Sequence, residues 1–375
     1  MFSASSYDIV ILGLTITSSW GNGHATTYRG LVKELSARGH KVLFLERDMP
    51  WYAMHRDLNE SSCGRTELYS SMMELKDRFT GVIQSAELVI VGSFVPDGVA
   101  VGEWVTHTAH GITAFYDIDT PVTLAKLLRR ECDYLTAGLI SRYDLYLSFA
   151  GGPILKVLEQ LYGSPLARPF YCSVDPANYY PEDGGIKYDL GYMGTFSEDR
   201  QGPFDELLLK PALKWPEGKF IVAGPKYPDI STWPGNVIHR EHVPPSMHRE
   251  FYCSQRFTLN LTRSDMVQSG FAPSVRLFEA AACGTPIISD YWEGLNEIFT
   301  FGEEILIASS QDHILKYLSE ISETERNEIA AKARKRVLSA HTAARRALEL
   351  ENYAAEAGKK RRETSLVRPK LYRRA

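Results

Sequence analysis

Residues Gly270–Asp290 read GFAPSVRLFEAAACGTPIISD, the pattern of a helix, a tight turn and a buried strand. Pro273 suits the first turn of a helix, where its missing N–H costs nothing. Val275, Leu277, Phe278 and Ala281 or Ala282 then turn toward a core. Cys283-Gly284 ends the helix, because glycine takes φ > 0 without steric cost. Thr285–Ser289 is a short apolar run with β-branched residues, as a parallel strand buried on both faces requires. Two charges interrupt the helix, Arg276 and Glu279. Three apart, they occupy neighbouring parts of one face. At the mouth of an α/β sheet such a pair suits a phosphate and a ribose; on an open surface it is an ion pair worth about a few tenths of a kcal/mol.

Outward from this stretch, strand and helix patterns alternate over most of the chain. In the first half, strands are expected at Asp8–Leu14, Lys41–Glu46, Leu88–Ser93, Ile112–Asp117 and Leu145–Phe149. Helices are expected between them, at His24–Arg38, Thr66–Gln84, Asp97–Thr106, from Pro121 to Arg130, and from Pro153 to Tyr162. Residues 167–187, with Pro169, Pro176, Pro181 and Gly184-Gly185, break the rhythm and read as a linker. A second α/β pattern follows, with strands near Tyr188–Met193, Phe220–Ala223, Val237–Val243, Phe257–Leu261, Pro286–Ser289 and Ile305–Ala308. The expected fold class is α/β, two tandem Rossmann-like doubly wound domains facing across a cleft. Residues 1–166 form the first domain and 188–340 the second. A C-terminal helix is expected over 341–358, placed to cross back to the first domain, and 359–375 is a basic tail. Ligands in such sheets bind beyond the carboxyl ends of the strands, so strand-to-helix loops carry the informative residues.

Composition limits the function. At 44% hydrophobic and 23% charged, the 375 residues describe a globular protein of two ordinary domains. Net charge is −4, yet residues 359–375 carry +7, leaving −11 on the rest. The body is therefore no nucleic-acid binder by charge. The tail reads as disordered, with an anionic partner (membrane face, nucleic acid or acidic acceptor) as its alternative. Five widely spaced cysteines, without C-x-x-C, suggest reduced thiols and a cytoplasmic setting. The N-terminus lacks a basic stretch before its apolar run, and no apolar run reaches membrane-span length. Asn59-Glu60-Ser61 and Asn260-Leu261-Thr262 match a glycosylation pattern that has no meaning without secretion.

Three loops carry candidate chemistry. After the first strand come Trp20, Gly21, Asn22, Gly23 and His24. The glycines let the backbone approach a ligand, and the helix start offers free N–H groups; the loop is not a G-x-G-x-x-G dinucleotide fingerprint. His24 either serves the site or caps and packs the helix. Asp117 and Asp119, in FYDIDTP, end a strand before a proline-started helix. Either can take a proton from an acceptor hydroxyl, or Asp119 or Thr120 can cap the helix. His107 and His110 lack a third ligand, so no metal site is expected. In the second half, Gly194 and Thr195, Gly224, His242 and Val243, Arg263 and Ser274 all lie at strand ends or the helix start. Gly194 with a hydroxyl beside it suits a diphosphate approached by backbone N–H groups, and Arg263 suits a diphosphate clamp.

The run FEAAACGTPII resembles the nucleotide-sugar site of GT-B glycosyltransferases, whose pattern is E-x7-E-A-x-A-C-G-x-P-V-V. The resemblance implies that Glu279 holds the donor ribose. The first glutamate of the pattern falls at Phe271, a departure that leaves the sugar hydroxyls without that contact. AFYDIDTP, GYMGT, PSVRLFEAAACGTPIISD and Trp292–Leu295 together look like the spore-maturation CgeB-like group, over roughly Asp8 to Ala340. That resemblance implies a glycosyltransferase. A nucleoside-diphosphate sugar, UDP-type or another base, would bind Gly194, Thr195, Gly224, His242, Val243, Arg263, Ser274, Arg276 and Glu279. An unidentified acceptor would bind Trp20, Gly21, Asn22 and Gly23, with His24, Asp117 and Asp119 catalytic. No metal and no cofactor are expected, the sugar nucleotide being a co-substrate. A sugar-nucleotide epimerase or phosphorylase, or a non-catalytic nucleotide-binding module, on the same fold are the alternatives.

Overall fold

A computed structural model describes residues 7–20, 23–58 and 64–371, with side chains through 364. The chain divides into two units, Met1–Cys172 with Ala343–Ala375, and Ser173–Thr342. The first holds seven parallel strands: β1 (Ile9–Gly13), β2 (Val42–Arg47), β3 (Arg65–Tyr69), β4 (Leu88–Gly92), β5 (Ile112–Asp117), β6 (Leu145–Ser148) and β7 (Ala167–Pro169), in the order β3-β2-β1-β4-β5-β6-β7. The second holds β8 (Tyr188–Met193), β9 (Phe220–Ala223), β10 (Val237–Arg240), β11 (Gln255–Asn260), β12 (Ile287–Ser289) and β13 (Leu306–Ile307), also parallel, in the order β10-β9-β8-β11-β12-β13. Each order reverses once, between β1 and β4 and between β8 and β11. Those reversals are the switch points where such sheets open a crevice.

The central strands form because their apolar runs bury both faces: β1 and β4 are buried at every residue. Five helices matter below: α1 (His24–Ala37), α2 (Thr120–Arg129), α3 (Pro245–Cys253), α4 (Val275–Ala282) and α5 (Ala343–Leu371). Helix α4 begins one residue after Ser274, so Pro273 stands outside it rather than in its first turn. Its end is a Schellman turn: Gly284, at φ +72°, donates to Ala281, and Thr285 donates to Ala280. None of the helices, among the described residues, is long and apolar enough to cross a membrane.

Three segments differ from expectation. β3, expected as loop and helix start, is a polar edge strand: RTELY is partly exposed, and Glu67 pairs with Arg65 and Arg78. β7 occupies the start of the expected linker; Pro169 is tolerated because the strand lies at the sheet edge. The basic segment expected to be disordered from residue 359 continues α5 to Leu371. Ala347, Leu350 and Ala357 are buried in the first unit's core, and Arg38 holds Glu351 at 2.5 Å. One glycine, Gly358, costs a helix about 1 kcal/mol relative to alanine, too little to stop one anchored this way.

Asp117 also departs from its expected role as a general base. It is the last residue of β5 and fully buried. Oδ1 accepts from Thr123 Oγ1 at 2.7 Å and the Asp119 N–H at 3.3 Å; Oδ2 accepts from Tyr146 at 2.6 Å. The carboxylate ties β5, α2 and β6 together. Burial raises its pKa to about 6, from 3.8, against the pull of Tyr146 and Thr123. The folded state therefore binds the proton more tightly than the unfolded chain. Stability from this group is full below pH 3.8 and is lost as pH rises through about 6. Asp117→Asn removes this dependence. In urea denaturation the stability difference between parent and variant should change by roughly 2–3 kcal/mol between pH 4 and 7. Parallel pH profiles would show that burial does not raise the pKa of this carboxyl.

Candidate functional site

The second sheet's switch point is built on Asn260, the buried last residue of β11. Its Oδ1 accepts from Ser274 Oγ at 2.8 Å and Arg276 Nη1 at 2.9 Å, while Nδ2 donates to Ser289 Oγ at 2.9 Å. The first turn of α4 is thereby fastened to the ends of β11 and β12. Arg276 Nε donates to the Met193 carbonyl at the end of β8, and the guanidinium lies 5.3 Å from the centre of the Tyr192 ring. Arg276 is thus held across the switch point.

Glu279 follows one turn along α4 and is 5% exposed. Tyr252 donates to its Oε2 at 3.1 Å. His248 Nδ1 lies 3.9 Å from the same oxygen, and 3.2 Å from the Tyr179 hydroxyl. His248 Nε2 lies 3.1 Å from the Val243 carbonyl. A carbonyl only accepts, so Nε2 carries a proton, and the Tyr179 hydroxyl lies between His248 Nδ1 and the Glu279 carboxylate. With Tyr252 and Tyr179 as its side-chain donors among the described residues, the carboxylate keeps lone pairs for a diol.

Two further arginines flank this centre. Arg200 donates to the Thr195 carbonyl at 2.5 Å, and its Nε has no partner among the described residues. Burial, with Arg276 nearby, lowers its pKa. Arg263 Nε is 3.8 Å from Asp199 and makes no hydrogen bond among the described residues. Gly194 does not present its N–H to a ligand: that N–H donates to the Ala223 carbonyl at 2.8 Å, and its carbonyl receives Tyr227 at 3.0 Å. Gly224, at φ +149°, donates to Arg240, and a Cβ on it would fall 2.0 Å from the Gly194 carbonyl oxygen. Both glycines therefore let two strand ends touch. Thr195 is exposed, as is His242, while Val243 is buried; β10 ends at Arg240, short of both His242 and Val243.

In the first unit, Glu46 at the end of β2 organises the loop after β1. Fully buried, it accepts from Thr15 Oγ1, the Ile16 and Thr17 N–H groups, and Thr17 Oγ1, at 2.6–3.1 Å. Trp20 is 48% exposed and stacks on His55 at 4.5 Å. Gly23 caps α1; Gly21 and Asn22 lie outside the described residues. His24 begins α1 with its edge against Phe94, which follows β4, at 5.6 Å. Its Nδ1 is buried without a partner among the described residues, and burial lowers its pKa to about 4. It is a neutral imidazole at pH 7. Asp119 is half-buried at the N-cap of α2, without a side-chain cap bond.

Sequence reasoning missed His248, Tyr252, Arg200 and Glu46. His248 and Tyr252 carried a signal, since a spacing of four on a helix places them on one face. Arg200 carried none, because only the strand order brings it to Arg276.

Residues 200–352 match the protein-family model described as glycosyl transferase-like. No curated protein sequence matches the chain. Several solved structures do. A sucrose-phosphate synthase from Thermosynechococcus elongatus aligns with TM-score 0.63 and 15% identity, over 96% of this chain and 100% of that one. Anabaena HepE, solved with UDP and glucose, aligns with TM-score 0.69 and 11% identity, over 93% and 100%. An α-glucosyltransferase solved with UDP aligns with TM-score 0.67 and 13% identity, over 93% and 100%. At these identities the likeness is one of fold, and the fold of this chain is that of the GT-B glycosyltransferases.

Proposed function

We propose that the protein is a glycosyltransferase that moves a sugar from a nucleoside-diphosphate sugar to an acceptor hydroxyl. The observation that carries this reading is Glu279, buried yet with acceptor capacity in hand, one turn from an arginine fixed at the second switch point. Glu279 accepts both ribose hydroxyls. Arg276, Arg200 and Arg263 hold the diphosphate and stabilise the charge that develops as the glycosidic C–O bond breaks. The first turn of α4 adds its positive dipole end. Three guanidinium groups supply the charge a metal would otherwise bring, so the proposed transfer is metal-independent. On the acceptor side, neutral His24 or half-buried Asp119 takes the hydroxyl proton, and exposed Trp20 offers a face to a ring. The UDP complexes of the Anabaena protein and the α-glucosyltransferase make UDP-glucose the first donor to try.

Glu279→Ala should weaken UDP binding by tenfold or more, about 1.5–3 kcal/mol for a lost charged hydrogen bond, and abolish turnover at an unchanged melting temperature. Calorimetric titration alongside thermal unfolding checks this. A variant that binds and turns over as the parent does would sink the donor-site assignment. Release of UDP and an altered free sugar without any acceptor would favour an epimerase instead. Binding without turnover of any donor would favour a non-catalytic module, the reading that Phe271 motivates.

Arg200→Ala tests the clamp separately. It should weaken UDP by about tenfold while leaving uridine unaffected, since only the diphosphate meets the guanidinium. Equal losses for both ligands would place Arg200 elsewhere.

A further inference from the structure

The first sheet has a second concave feature, at the end remote from His24 and Asp119. A cavity of about 910 Å³ opens where β1, β4 and β5 begin, under the C-terminal half of α5. Its size falls within the roughly 300–1,000 Å³ of small-molecule sites. The apolar lining is Ile9, Leu88, Ile112, Leu350 and Ala354. Gly358 leaves the space open: a Cβ there would meet only Ile112 and the tip of Arg362, both at 3.7 Å.

Charge around the cavity is unequal. Of the acids in its lining, Glu351 is held by Arg38 and His40, and Arg38 lowers its pKa to about 2. Asp8 accepts the Lys41 N–H at 2.8 Å, and Glu87 is exposed. On α5 four cations run in succession, Lys359 to Arg362. Arg361 lines the cavity, reaches the Gly111 carbonyl at 2.7 Å and pairs with Asp144 at 3.3 Å. Lys359, Lys360 and Arg362 enter no ion pair among the described residues, and all four are exposed. A chamber with an apolar floor, polar sides that include His40 and His110, and two exposed arginines in its lining complements a molecule with an alkyl body and an anionic head.

We propose that this cavity is a lipid site, taking one acyl chain of a phosphate-headed lipid at a membrane surface, with the phosphate against Arg361 and Arg362. Nothing in it depends on the sugar-transfer reading. The acyl chain replaces water on the apolar lining, and the cations of α5 add attraction to an anionic leaflet. The protein would then dock reversibly by the start edge of its first sheet.

The test is flotation of the full chain with phosphatidylglycerol or phosphatidylcholine vesicles, for the parent, Gly358→Leu and the double variant Arg361→Ala/Arg362→Ala. Gly358→Leu fills the chamber and is the better helix former. The parent should float with phosphatidylglycerol and not with phosphatidylcholine. Gly358→Leu should bind about tenfold more weakly, equivalent to roughly two methylenes left unburied. The double variant should lose about thirtyfold. Thermal unfolding reports whether each variant is folded, and dodecyl phosphate, titrated below micelle formation, reads the cavity without a bilayer. No preference for phosphatidylglycerol overturns the proposal, and so does parent-like binding by either variant. A melting-temperature rise with dodecyl phosphate but no vesicle binding overturns the membrane source.

Discussion

A buried side-chain amide can be kept inside a protein only if both of its ends are paired. At Asn260 both are, and the second unit's site depends on that pairing. The oxygen takes Ser274 and Arg276, and the nitrogen takes Ser289. The start of α4 therefore cannot shift along the sheet without stranding a polar group. Once α4 is fixed, Arg276 must face β8, and Glu279 must face α3 one turn later. Substitution of Asn260 would release the helix as well as an amide, so its effect on ligand binding would exceed that of any contact it could make itself.

Two of the buried carboxylates, Asp117 and Glu279, show how environment divides labour between similar groups. Asp117 is surrounded by three donors that belong to its own sheet and helix, and burial makes its charge costly. It is a tie between elements. Glu279 receives Tyr252 and is faced by the Tyr179 hydroxyl, fewer donors than the four groups that hold Glu46. A carboxylate so placed is oriented without being saturated. The same contrast recurs among the cations. Arg276 is locked by a carbonyl and an amide, whereas the buried Nε groups of Arg200 and Arg263 have no hydrogen-bond partner among the described residues.

How much of this was legible in the sequence follows from what each signal measures. Apolar runs report burial on both faces, so the central strands were readable, and the helix–turn–strand of residues 270–290 with them. β3 is polar because it is an edge, and an edge strand has no apolar run to read. The C-terminal helix was readable as far as 358, where Ala347, Leu350, Ala354 and Ala357 recur at helical spacing; its continuation was obscured because eight cations over the last 17 residues looked like a solvated tail. Arg276 with Glu279 could be found because both lie on one helix. Asp117 was misjudged because a carboxylate at a strand end looks identical in sequence whether its neighbours are solvent or a tyrosine and a threonine.

Phe271 bears on whether the site is intact. It stands where the GT-B pattern has a glutamate, and its backbone has φ +52°, a region that costs a residue with a Cβ about 1–2 kcal/mol. The strain is offset locally. The Phe271 N–H donates to the Glu293 carbonyl at 2.6 Å, and its ring packs so closely on Gly294 that a Cβ there would fall 2.3 Å away. Gly294 itself sits at φ +91° and allows that contact. The loop entering α4 is therefore pinned by a phenylalanine whose ring offers no hydrogen-bond acceptor. The proposed ribose and diphosphate contacts, from Glu279, Arg276, Arg200 and Arg263, do not include residue 271, and the hydrogen bonds that hold Arg276 and Glu279 come from Asn260, Met193 and Tyr252.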